Sequence, residues 1–180
     1  MSQKKTLVPK LFSKIKALVL DVDGVLTDGS IIYDSQGGET KVFSVKDGLG
    51  LRLLMDAGIA VAILTGRSSP ALRARCENLG IKNLWDGISD KADRIDEIAS
   101  RLGVKTSEIA YVGDDLPDAP VMALVGVAVA VSDSHPAVIG AATAVTAAPG
   151  GRGAVREVCE AILAGRGLWD AILKKRFGIR

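Results

Sequence analysis

Histidine occurs once in the 180 residues, at His135, and the two cysteines, Cys76 and Cys159, share no CxxC spacing. Zinc therefore lacks its usual ligands, and buried thiols in a reducing compartment are expected rather than a disulfide. Aromatic residues make up only 4%, which leaves a mostly aliphatic core, as in buried parallel sheets. Charge of one sign is not in excess: 23 Lys and Arg against 21 Asp and Glu give +2, too little to argue for nucleic acid or a membrane surface. No apolar run approaches the roughly 18 residues of a membrane span, and the start MSQKKTLVPKLFSK has charge without a leader's apolar core. A soluble, cytoplasmic protein is expected. Nucleotide-binding signatures are also missing: there is no GxxxxGK[ST] loop, and Gly48 and Gly50 lack the third glycine and preceding strand of a dinucleotide fingerprint.

What is present is organised around Ile15 to Gly29, IKALVLDVDGVLTDG. The apolar run Ala17 to Leu20 ends in Asp21, Val22, Asp23 and Gly24, the pattern of a buried strand entering a tight loop. Open α/β sheets bind ligands beyond the carboxyl ends of their strands, so this acidic loop is the expected centre of the site. Carboxylates one residue apart can face different ways, one toward a metal and one toward a substrate. Taken alone, the pair is equally compatible with capping a turn.

Downstream, SIIYDSQGGETKVFSV holds two alternating runs broken at Ser35 to Gly38, which predicts a β-hairpin over about 30–45. Asp47 is expected to cap a helix ending at Gly58, and Ile59 to Leu64 to form a second buried strand meeting Thr65, Gly66 and Arg67. Ser69 and Pro70 open a helix closed by Gly80, with Leu72, Cys76 and Leu79 on one face. A short strand follows around Ile81 to Trp85, and Asp90 is expected to start a helix with Ile95, Ile98, Ala99 and Leu102 on one stripe. The strand Ile109 to Val112 meets Gly113, Asp114 and Asp115; further strands are predicted at Gly126 to Val131 and, on the edge, Ala142 to Thr146. His135 and Pro136 open a short helix, a capping or surface position for the histidine. Pro149 to Gly153 reads as a flexible joint before a tail, about 149–180, with two helical pieces. Helices alternating with strands predict parallel pairing within one domain, 1–180.

Asp21, Asp23, Thr65, Asp114, Asp115 and Asp118 thus gather at successive strand ends, with Lys91 between them. Unit charges about 4 Å apart interact by about 4 kcal/mol at an effective dielectric of 20, so clustered aspartates protonate or repel unless a cation joins them. All-oxygen ligands favour Mg²⁺. A metal and Lys91 neutralising a phosphate would let one carboxylate attack phosphorus while a second acid protonates the leaving oxygen.

DVDGVLT (Asp21 to Thr27), LTGR (Leu64 to Arg67), Lys91 and GDDLPD (Gly113 to Asp118) resemble, in order, the four motifs of the haloacid-dehalogenase superfamily of phosphatases. The longer strings DVDGVLTDG, KDGLG, GDDLPD and GGRGAVREV are similar to the narrower group acting on 3-deoxy-D-manno-octulosonate 8-phosphate, over about Lys16 to Leu163. The resemblance implies an α/β fold with a Rossmann-like parallel sheet, helices on both faces, a protruding hairpin and no cap domain, since neither motif one to two nor motif two to Lys91 leaves room for one. It implies Asp21 as nucleophile, Asp23 as general acid and then base, Thr65 and Lys91 on the phosphoryl oxygens, and Gly66 and Arg67 at the substrate. Mg²⁺ would be held by Asp21, the Asp23 backbone carbonyl and Asp114, with Asp115 or Asp118 behind. It further implies a role in lipopolysaccharide precursor synthesis and a homotetramer whose hairpins pair and whose tail enters the neighbouring site, making Arg152 and Arg156 candidates for covering substrate in trans. The chain departs from the group's pattern at Trp85, Asp86 and Ala119, which bears on substrate contacts.

Three rival readings share some of these features. Another phosphorylated sugar acid would offer the same carboxylate to arginine. A receiver-like signalling domain also clusters aspartates, a Thr and a Lys, but its acidic pair and phosphorylated Asp come in a different order. A silent interaction domain would not need the complete acid, Thr, Lys and Asp set.

Overall fold

The computed structural model describes residues 6–179. Strand β1, Ala17–Leu20, is followed by the hairpin strands β2, Ile32–Tyr33, and β3, Glu39–Thr40, then helix α1, Val45–Asp56. Next come β4, Ala60–Leu64, α2, Pro70–Leu79, β5, Asn83–Trp85, and α3, Ile95–Leu102. The second half runs β6, Ile109–Gly113, α4, Ala119–Met122, β7, Val127–Ala130, α5, Pro136–Ala141, β8, Ala144–Val145, α6, Ala154–Gly165, and α7, Trp169–Phe177. Six strands form one parallel sheet in the order β5-β4-β1-β6-β7-β8, with Leu18 beside Val61 on one side and Ala110 on the other.

Alternation along the strands explains the layers. Leu18, Leu20, Val61, Ile63 and Val112 face one core with Leu54 of α1, Leu72 of α2 and Val158 and Ile162 of α6. Val19, Ala62, Leu64 and Tyr111 face a second core with Ile98 of α3, Val121 of α4 and Val138 of α5. Both faces of the sheet are covered, which is why its strands read as continuous apolar runs. The chain leaves β1 toward β4 and β5, then returns across β1 to β6, so the strand order reverses between β1 and β6. Ligands bind at such a switch point. Only the hairpin and α1 lie between β1 and β4, and only α2 and β5 between β4 and Lys91, so there is no cap domain. No described helix is long and apolar enough to cross a membrane. Cys76 and Cys159 are free and buried, and burial pushes the Cys76 thiol up to about 11.

Four local expectations are corrected. The α1 cap is Ser44, whose Oγ accepts the Asp47 backbone N–H, while Asp47 turns inward to accept from Gly153 and Arg156 at the start of α6. Asp90 does not start a helix: a tight turn, Ala92–Arg94, precedes α3. The hairpin pairs only Ile32 with Thr40 and Tyr33 with Glu39, because a two-stranded ribbon with no third strand gains little from longer pairing. Pro149 to Gly153 is no loose joint. Gly151 donates its N–H to Val25 at 2.9 Å, Gly150 donates to Asp133 at 3.0 Å, and a Cβ on Gly150 would lie 1.8 Å from the Gly24 carbonyl.

Candidate active site

Asp21 continues β1, its backbone N–H donating to the Val112 carbonyl of β6 at 3.0 Å. Asp114 follows β6 directly, and Gly24 lets the two loops close: a Cβ there would lie 2.0 Å from Asp114 Oδ2, and its φ of +87° suits glycine. One carboxylate oxygen each from Asp21, Asp114 and Asp118 lies within 4.8 Å of the others. Lys91 is buried among them, its Nζ 2.9 Å from Asp21 Oδ2 and 2.6 Å from Asp118 Oδ1.

Asp118 is fully used by the protein. Its Oδ1 accepts from Lys91 and from the Tyr111 hydroxyl at 2.6 Å, and its Oδ2 accepts the backbone N–H groups of Asp114 and Asp115 at 2.9 and 3.2 Å. Asp21 Oδ1 and Asp114 Oδ1, by contrast, are buried and accept no hydrogen bond. Two buried anionic oxygens without donors, beside a third acid already committed, fit a hard cation held by Asp21 and Asp114 with Asp118 behind them. Asp115 is exposed at the rim.

The electrostatics agree. Burial pushes Asp21 up to about 6 even though Lys91 pulls it down, and burial together with Asp21 and Asp118 pushes Asp114 up to about 7. Burial pulls Lys91 down, but Asp21 and Asp118 outweigh it and hold the ammonium above its ordinary value. Tyr111, buried and facing the same acids, is raised well above the usual phenol range.

Asp23 turns the other way. Its Oδ1 accepts from Lys41 of the hairpin, and its Oδ2 lies 3.6 Å from Arg67 Nε. Thr65 ends β4, buried, its Oγ1 accepting the Arg67 backbone N–H at 3.4 Å.

A cleft of about 340 Å³ is lined by Asp21, Asp23, Thr65, Gly66, Arg67, Lys91, Asp114, Asp115 and Asp118, together with Gly29 and Pro117. Larger hollows, such as the groove of about 450 Å³ between α1 and α7, carry none of this chemistry. Arg152 and Arg156 do not line the cleft of their own chain. Arg152 is 70% exposed with Nη2 3.7 Å from Asp28 Oδ2, and Arg156 bonds Glu160 while its guanidinium lies 5.7 Å from the Trp169 ring. Trp85, Asp86 and Ala119 also lie outside the lining: Trp85 donates to Glu97 and Asp86 pairs with Arg73. His135 caps α5, accepting the Ala137 N–H at 3.2 Å.

Sequence reasoning missed Lys41, Glu39 and Tyr111. Tyr111 was findable: a lone phenol in an otherwise aliphatic buried strand needs a partner. Lys41 was not, because its inward turn depends on where the hairpin folds back.

Comparison with known proteins gives the family. Residues 83–156 match the haloacid dehalogenase-like hydrolase model. The chain is 47% identical over 156 residues to the 3-deoxy-D-manno-octulosonate 8-phosphate phosphatase of Escherichia coli strain K12, covering 87% of this chain and 83% of that protein. The solved phosphatase of the same description from Moraxella catarrhalis, in complex with a magnesium ion, a phosphate ion and KDO, superposes with a TM-score of 0.89 at 42% identity, covering 92% of this chain and 95% of that one. A cobalt-bound deoxy-D-mannose-octulosonate 8-phosphate phosphatase from Haemophilus influenzae gives 0.87 at 42% identity, covering 89% and 94%. With relatives this similar over most of its length, the chain belongs to the 3-deoxy-D-manno-octulosonate 8-phosphate phosphatases of the haloacid dehalogenase-like hydrolases.

Proposed function

We propose that this chain is a Mg²⁺-dependent phosphomonoesterase that hydrolyses 3-deoxy-D-manno-octulosonate 8-phosphate to the free sugar acid and phosphate, as one domain spanning 1–180. The observation that carries the reading is the buried pair of unpartnered oxygens on Asp21 and Asp114, set beside Lys91 and across from Asp23. Magnesium, held by Asp21, the Asp23 backbone carbonyl and Asp114, supplies positive charge against the phosphoryl oxygens.

Asp21 Oδ2 is the nucleophile on phosphorus. Asp23 gives its proton to the sugar oxygen as the ester bond breaks, leaving an aspartyl-phosphate, and then takes a proton from the water that hydrolyses it. Lys91, held by Asp118, and the Thr65 hydroxyl stabilise the charge that develops on the phosphoryl group. Arg67, 42% exposed at the mouth, meets the sugar acid's carboxylate together with the Gly66 backbone. Asp118 orients the acids, and Asp115 faces solvent at the rim.

The same reading takes the molecule as a homotetramer working in the cytoplasm, where buried Cys76 and Cys159 stay reduced, and supplying lipopolysaccharide precursors. Ile31, Ile32, Tyr33 and Val42 leave an apolar hairpin surface exposed, and self-association would cover it. Exposed Arg152 is then available to a neighbour's substrate, with Arg156 fixed behind it. A panel of phosphorylated sugar acids assayed with Mg²⁺ tests the substrate: the octulosonate ester should give the highest kcat/KM, and a stronger preference for another sugar acid would reassign it. Sedimentation tests the tetramer, which a monomer at assay concentration would contradict.

A further inference from the structure

Lys41 lies outside the motifs that carry the reaction, on a hairpin that is mostly exposed, yet its side chain is only 2% exposed. Burying an ammonium costs several kcal/mol unless its partners compensate, and here there are two. Its Nζ donates to Asp23 Oδ1 and lies 2.8 Å from Glu39 Oε1. The other Glu39 oxygen accepts from Arg67 Nη2 at 2.7 Å, and Arg67 Nε faces Asp23 Oδ2 at 3.6 Å. Two cations and two carboxylates therefore alternate around a closed ring drawn from three elements: the loop after β1, the hairpin and the loop after β4.

The ring treats the two Asp23 oxygens unequally. Oδ1 is engaged by Lys41, whereas Oδ2 is buried and has no hydrogen-bond partner, since 3.6 Å from Arg67 is too long for one. Lys41 can only donate, so it fixes Oδ1 as an acceptor and leaves Oδ2 as the oxygen able to carry a proton.

We infer that Lys41 is the positioning residue of Asp23, holding the carboxyl so that Oδ2 presents its proton to the leaving sugar oxygen, with Glu39 bracing Lys41 and Arg67 from behind. The inference rests on the reading of Asp23 as the general acid. In the step concerned the Asp21–phosphorus bond forms, the phosphorus–sugar oxygen bond breaks, and the proton moves from Asp23 Oδ2 to that oxygen; Lys41 keeps its own protons throughout. The hairpin thereby becomes part of the catalytic arrangement of its own chain.

The test compares kcat/KM for the sugar phosphate and for p-nitrophenyl phosphate, whose leaving group departs without a proton. Asp23→Asn should lose about 10²- to 10⁴-fold on the sugar ester, the usual contribution of general acid catalysis. Lys41→Met should lose roughly 10- to 100-fold on the sugar ester, the scale of a misplaced group, with little change on the aryl ester. Lys41→Arg should recover most of that loss, and Lys41→Met added to Asp23→Asn should cost no more than about twofold further, because the two act as a unit. If Lys41→Met does not fold, Glu39→Gln and Lys41→Arg carry the test, the former with a smaller loss of the same selectivity. Equal losses on both esters, or additive losses in the double variant, overturn the inference while a selective Asp23→Asn loss leaves the general acid standing. An unselective Asp23→Asn loss overturns both.

Discussion

Asp47 on α1 accepts the backbone N–H of Arg156 on α6 at 2.7 Å, across 109 positions of sequence. Its second oxygen accepts from Gly153 at 3.3 Å, so one buried carboxylate caps a helix it does not belong to and ties the tail to the first half of the chain. Asp47→Ala leaves two N–H groups of a helix start without an acceptor. It should cost about 2–3 kcal/mol, a melting temperature lower by roughly 5–10 °C for a chain of this size. Asp47→Asn, which keeps one acceptor, should lose about half as much. Thermal unfolding followed by circular dichroism checks both, and an unchanged midpoint for Asp47→Ala would remove the cap from the account.

Asp118 spends all its acceptor capacity on Lys91, Tyr111 and the Asp114 and Asp115 backbone. Asp118→Asn removes the charge that holds Lys91 and puts an amide donor where only donors are met. Apparent Mg²⁺ affinity should fall about 10- to 100-fold, the range for partners behind metal ligands. Activity titrated against Mg²⁺ reads this directly; unchanged affinity would make Asp118 a purely structural side chain.

Asp21 and Asp114, raised to about 6 and about 7 from an ordinary 3.8, make the metal-free protein pH-sensitive in a definite direction. Between about pH 4 and 7 the folded chain holds more protons on these groups than the unfolded chain. Their contribution to stability is present at low pH and is lost as pH rises through 6 to 7. Mg²⁺ needs both carboxylates ionised, so binding releases protons and strengthens across the same window. The gain in melting temperature on adding Mg²⁺ should therefore grow from pH 5 to pH 8, and calorimetry in buffers of different ionisation enthalpy should show proton release near pH 6. A gain independent of pH would contradict the assignment of these two acids to the metal.

How much of this was readable beforehand follows from where each signal lives. Buried strands that end abruptly in acids, as at Leu20 to Asp21 and Gly113 to Asp114, are local and unusual, so the sheet and the gathering of acids, Thr65 and Lys91 at its rim were legible in the chain. Asp47 and Asp90 both look like helix caps locally. Neither is one for its own helix, because Asp47 is claimed by the α6 backbone and the chain after Asp90 tightens before it becomes helical. The glycines of Gly150 to Gly153 suggest freedom when only neighbours in sequence are considered; they are needed because Gly150 and Gly151 press against the backbone of Gly24 and Thr27. Lys41 illustrates the same limit, since an alternating hairpin pattern does not say which face will fold over Asp23.

Every residue role in this mechanism depends on Asp21 becoming covalently phosphorylated. Rapid acid quenching of the Asp23→Asn variant during reaction with p-nitrophenyl phosphate and Mg²⁺, followed by peptide mass spectrometry, measures it most directly, because this leaving group needs no proton to depart while the variant lacks the base that clears the intermediate. One added phosphoryl group is expected on the peptide carrying Asp21, labile to hydroxylamine and lost when Asp21→Asn is combined with Asp23→Asn. A phosphoryl group on another residue, or full turnover by Asp21→Asn, would contradict it.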